Sequence, residues 1–61
     1  MKDSRFRFAR DGEIYFKKKK TKYCIVNNEH VYWVSKEGCA ASLPQSYLAD
    51  AKEKARQIIL A

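Results

Sequence analysis

Four consecutive lysines, Lys17-Lys18-Lys19-Lys20, stand beside stretches in which basic and aromatic side chains alternate. Upstream runs Arg5-Phe6-Arg7-Phe8; Tyr15 and Phe16 lead into the lysines, and Lys22 and Tyr23 follow them. Ammonium and guanidinium groups neutralise phosphates and release counterions, which supplies most sequence-independent affinity for nucleic acid. Tyrosine rings on an open surface stack on unpaired bases, and arginine reaches guanine edges when a strand enters a major groove. The pattern nominates Arg5, Arg7, Tyr15, Lys17, Lys18, Lys19, Lys20, Lys22, Tyr23 and Tyr32 as nucleic-acid-binding residues. It does not distinguish DNA from RNA, or single from double strands.

Charge distribution sharpens this reading. The 61 residues carry a net charge of +6, from 13 Lys and Arg against 7 Asp and Glu. Residues 1–22 hold nine basic and three acidic side chains, whereas residues 23–61 hold four of each, so the whole excess lies in the first third. Positive charge segregated in this way implies a polyanionic partner: nucleic acid, an acidic protein or an anionic membrane surface. For the membrane surface only the tetralysine beside Phe16 speaks, since no lipidation signal or strongly basic amphipathic helix accompanies it.

Other chemistries find little support. A nucleophile–base pair would need Cys24, Cys39 or a serine to meet His30, the single histidine, which falls where a turn is expected. Two isolated glycines form no phosphate-cradling loop. Two cysteines and one histidine do not complete a zinc site, so no metal, no cofactor and no enzymatic activity are expected. No apolar run approaches the roughly 18 residues of a membrane span, and no export signal precedes the Arg/Phe alternation, so a cytoplasmic setting with reduced thiols is expected.

The basic residues need elements to position them. Arg5–Phe8 alternates at period two, and Glu13–Lys17 follows the turn former Asp11-Gly12. A three-residue loop, Arg10-Asp11-Gly12, with Gly12 left-handed pairs Phe8 with Ile14 and Phe6 with Phe16, and sets Arg7 opposite Tyr15 on the other face. A two-residue Asp11-Gly12 loop would mix apolar and basic side chains on both faces. Tyr23–Val26 and His30–Val34 read as a second hairpin turning around Asn27-Asn28-Glu29, with the lysine run linking the hairpins or extending their strands. Ser42-Leu43-Pro44-Gln45 has the form of a helix capping box. From there Leu43, Tyr47, Leu48, Ala51, Ala55, Ile58 and Ile59 fall on one helical stripe.

These elements predict a single α+β domain: a small antiparallel sheet of three to four strands, made of two β-hairpins, with one C-terminal helix packed on one face. The second hairpin offers two side-chain sets, Cys24, Val26, Val31 and Trp33 or Tyr23, Ile25, Tyr32 and Val34. The first is the more apolar. It is expected in the core with Phe6, Phe8, Ile14, Phe16, Leu48, Ala51, Ala55 and Ile58. The second set then shares the open face with Arg5, Arg7, Tyr15 and Lys17. There Ile25 and Val34 would form an apolar patch fit for a homodimer interface, the rival to nucleic-acid binding.

Overall fold

The computed structural model describes residues 3–61. Strands β1 (Phe6–Phe8), β2 (Glu13–Phe16), β3 (Lys19–Asn28), β4 (Val31–Lys36) and β5 (Cys39–Ala40) form one sheet in chain order, every neighbour antiparallel. Helix α1 (Leu48–Leu60) follows and packs chiefly on β4 and β3. The α+β class is as expected, with five strands in place of three to four. The additional strand arises because Glu37 and Gly38, at φ 52° and 87°, turn the chain back so that Cys39 and Ala40 pair with Lys36 and Ser35. Among the described residues no helix is long and apolar enough to cross a membrane.

The first hairpin has the expected register, Phe6 opposite Phe16, Arg7 opposite Tyr15 and Phe8 opposite Ile14. Gly12 is left-handed at φ 94°, and its carbonyl accepts the Ile25 N–H at 2.8 Å, which ties this turn to β3. A β-carbon on Gly12 would lie 2.6 Å from the Ile25 carbonyl oxygen. Only glycine allows so close a backbone approach.

The lysine run links the two hairpins through a tight turn and extends β3. Phe16 pairs with Lys19 across Lys17 and Lys18, whose φ values of 52° and 67° are the two left-handed conformations of a type I′ turn. Lys19 and Lys20 already belong to β3. Beyond them the ladder shifts: Tyr15 faces Lys20, but Glu13 faces Cys24, so two extra residues bulge from β3. The Thr21 hydroxyl donates to the Ile14 carbonyl at 2.7 Å, satisfying an acceptor that the disrupted ladder would leave open.

That shift of two residues preserves the alternation of side chains, and so it decides the faces. Tyr23 and Ile25 lie on the side of Ile14 and Phe16; Val34, opposite Ile25, joins them. The core is therefore Phe6, Ile14, Val34 and Ala55, with Phe8, Phe16, Tyr23, Ile25, Ile58 and Ile59 packed against it. This corrects the expectation for the second hairpin. Its two side-chain sets are as expected, although the turn sits at Glu29-His30, but Cys24, Val26, Val31 and Trp33 lie half-buried on the open face. The greater apolarity of that set is overridden by the register imposed from β2.

The helix also begins later than the capping signature suggests. Residues 41–45 run along the free edge of β4: the Ala41 N–H donates to the Val34 carbonyl at 2.7 Å, and Tyr32 and Gln45 exchange backbone bonds at 2.8 and 2.7 Å. The Ser42 hydroxyl accepts the Val34 N–H at 2.9 Å, so it serves the sheet and not a helix terminus. Tyr47, in extended conformation and without a side-chain capping bond, precedes the first helical turn. As a result Leu43 and Tyr47 are 80% and 71% exposed, and Leu48, expected in the core, is 40% exposed. Ala51 and Ala55 are fully buried, and their small side chains let the helix approach the sheet closely.

Candidate nucleic-acid interface

Arg7 and Tyr15 occupy opposite positions on β1 and β2, on the face away from the helix. The Arg7 guanidinium lies 4.3 Å from the Tyr15 ring centroid, a cation–π contact that fixes both groups and covers one side of the ring. Arg5, just before β1, is held by Asp3. Its Nε donates to Oδ1 at 3.0 Å, its Nη2 to Oδ2 at 2.6 Å, and its backbone N–H to Oδ1 at 3.0 Å. The hydrogen bonds from the Arg5 side chain and backbone lower the Asp3 pKa from 3.8 to about 2 and keep the pair charged throughout the neutral range.

The Lys17-Lys18 turn closes this end of the sheet. The Lys17 Nζ sits 5.4 Å from the Phe16 ring, on which the Arg5 guanidinium also bears at 5.4 Å, while Lys18 and Lys19 are exposed. Ser4, Arg5, Phe6, Arg7, Tyr15 and Lys18 together line a cleft of about 360 Å³. Lys20 and Lys22 are exposed too, but each lies near a carboxylate: Lys20 Nζ is 3.4 Å from Glu13 and Lys22 Nζ is 3.6 Å from Glu37. Exposed pairs of this kind contribute little stability, so a phosphate can displace either acid at small cost.

Eight of the ten nominated residues therefore belong to the β1–β2 end of the sheet and the start of β3. Tyr23 and Tyr32 do not. Tyr23 packs against the core, with the Lys36 Nζ 5.4 Å from its ring, and Tyr32 lies on the helix side opposite Asn27. Neither can stack on a base at the open face. Trp33, expected in the core, lies on that face instead, half-buried opposite Val26. Counting alternation outward from the Lys17-Lys18 turn would have found it.

The expected dimer pair also separates from the open face. Val34 is completely enclosed beneath the helix and Ile25 packs beside it, so they form no exposed patch. The helix cations have packing roles. Lys52 and Arg56 bring their charged groups to 5.4 and 5.2 Å from the Phe8 ring, and Arg56 pairs with Glu53 at 3.2 Å. Cys24 and Cys39 are free thiols; Cys24 lies on the open face rather than in the core.

On the helix side, a wider cleft of about 640 Å³ opens between the first turn, β3, β4 and the start of the helix, with Phe8, Ile25, Tyr32 and Leu48 as its apolar lining and Arg10 and Lys52 as its cations. Comparison of the chain with protein-family models, with curated proteins and with solved structures returned no match in any of the three.

Proposed function

We propose that this chain binds nucleic acid through the basic end of its open sheet face, with the Lys17-Lys18 turn as the leading contact. The observation that carries the reading is the convergence of Arg5, Arg7 and Lys18 on one cleft, flanked by exposed Lys17 and by exposed Lys20, which pairs with Tyr15 on the same face. Two of these cations are held in place by neighbours, Arg7 by Tyr15 and Arg5 by Asp3. Groups ordered in advance lose little side-chain freedom on binding. With Tyr23 and Tyr32 on the other side of the sheet, and one side of the Tyr15 ring under Arg7, stacking is secondary and charge on the phosphate backbone dominates.

Salt titration tests this. Replacing Lys17 through Lys20 by alanine should weaken binding to every sequence and lower the magnitude of the log K against log salt slope by about 0.7–0.9 for each phosphate left without its cation. Tyr23→Ala and Tyr32→Ala should act on stability alone. A tetra-alanine variant that binds with wild-type affinity and slope would overturn the proposal.

A second reading, a protein–protein module, is favoured by the wider cleft on the helix side, which exposed Leu48 lines, and by the exposed Leu43 and Tyr47 that precede the helix. Its partner would be an acidic protein or a second copy of the chain. Leu48→Lys should then abolish association seen by light scattering and leave nucleic-acid binding intact.

A further inference from the structure

The cleft at the basic end has features that a general phosphate-backbone contact does not require. Arg5, Arg7 and Lys18 bring three positive charges to its walls, and Asp3, bonded to Arg5, cancels one. The net charge of about +2 matches a terminal phosphomonoester, which carries about −1.5 to −2 near neutral pH. An internal phosphodiester carries only one negative charge.

Geometry points the same way. Arg5 uses Nε and Nη2 on Asp3, and among the described residues nothing takes Nη1, leaving that nitrogen for a ligand. Arg7 lines the same cleft with its guanidinium 4.3 Å from the Tyr15 ring centroid. Guanidinium groups held in this way suit the several equivalent oxygens of a phosphate. Ser4 lines the same cleft, and a serine hydroxyl can donate a further hydrogen bond. Lys18 is the third cation, and it reaches the cleft from a backbone conformation, φ 67°, that lysine adopts only against its own preference. Strain of this kind persists where it places a functional group.

We infer that this cleft seats the terminal phosphate of a nucleic-acid strand, so that the protein recognises phosphorylated ends in preference to internal backbone. The inference rests on the nucleic-acid reading above and specifies which part of the polymer is bound most tightly.

The test compares fluorescently labelled single-stranded oligonucleotides of one sequence carrying a 5′-phosphate, a 3′-phosphate or hydroxyls at both ends, measured by anisotropy at fixed salt. One of the phosphorylated strands should bind about tenfold tighter than the hydroxyl strand, the worth of an added charge-assisted contact. Arg7→Gln and Lys18→Gln should each erase that ratio while circular dichroism shows the fold retained. Equal binding of all three strands, with the salt slope intact, would overturn end recognition and leave backbone binding standing. Failure of all three to bind would overturn the nucleic-acid reading itself, and this inference with it.

Discussion

Exchanging Lys17-Lys18 for Asn-Gly separates what the turn does for stability from what it does for binding. Both positions have positive φ, at 52° and 67°. The left-handed region costs an ordinary L-residue about 1–2 kcal/mol, little of which applies to glycine and only part to asparagine. The replacement should therefore stabilise the fold by about 1–2 kcal/mol, and removing two of the clustered positive charges acts in the same direction. For a domain of this size each kcal/mol raises the melting temperature by about 4–8 °C. Thermal and urea denaturation followed by circular dichroism would measure the gain. Binding should move the opposite way, with the salt slope falling by about 1.4–1.8 when two phosphates go without their cations. A variant less stable than the wild type would refute the claim that lysine is strained here. A more stable variant with unchanged affinity would refute the claim that the strain serves binding.

Other consequences follow from the same geometry. Gly12→Ala and Gly38→Ala impose similar backbone costs, at φ 94° and 87°, but only the first drives a β-carbon to 2.6 Å from a backbone oxygen. Chemical denaturation should show Gly38→Ala losing about 1–2 kcal/mol and Gly12→Ala clearly more; equal losses would mean that the turn can move away from β3. Val34→Ala and Val26→Ala remove the same two methyl groups from opposite faces. The first, at a site with 0% exposure, should cost about 2–3 kcal/mol and the half-buried second under about 1 kcal/mol; the reverse order would return Val26 to the core. The Asp3 pKa is depressed on folding, so the contribution of its pair with Arg5 is complete above pH 3.8 and disappears as pH falls through about 2. An NMR titration of the Asp3 carboxyl should give a midpoint near 2, returning toward 3.8 in Arg5→Gln.

The first hairpin was legible because a short loop and strict alternation admit one register that separates Phe6 and Phe8 from Arg7. The side-chain sets of the second hairpin were legible for the same reason, yet alternation within a hairpin does not say which set meets the helix. That choice depends on how β3 joins β2. The lysine run hid this, because two lysines in left-handed conformation are a rare way to make a type I′ turn. Once Phe16 is paired with Lys19, Tyr23 and Ile25 must share the face of Ile14. Ser42 misled differently: a hydroxyl that accepts a backbone N–H looks the same in sequence whether that N–H belongs to a helix terminus or, as here, to Val34 of a sheet edge. The basic cluster was legible as charge, but its arrangement around a cleft was not. The Asp3–Arg5 clamp and the Arg7–Tyr15 stack that build the cleft are matters of side-chain conformation.

Amide chemical-shift mapping addresses the central claim most directly. A ¹⁵N-labelled sample titrated with a short oligonucleotide at low salt should show its largest shifts at Arg5, Arg7, Tyr15 and Lys17 through Lys20. The Leu48–Leu60 helix and Tyr32 should remain nearly unmoved, and the shifts should fade as salt is added. Shifts concentrated instead at Ile25, Tyr32, Leu48 and Lys52, around the helix-side cleft, would contradict the account and move the binding surface to the other face of the sheet.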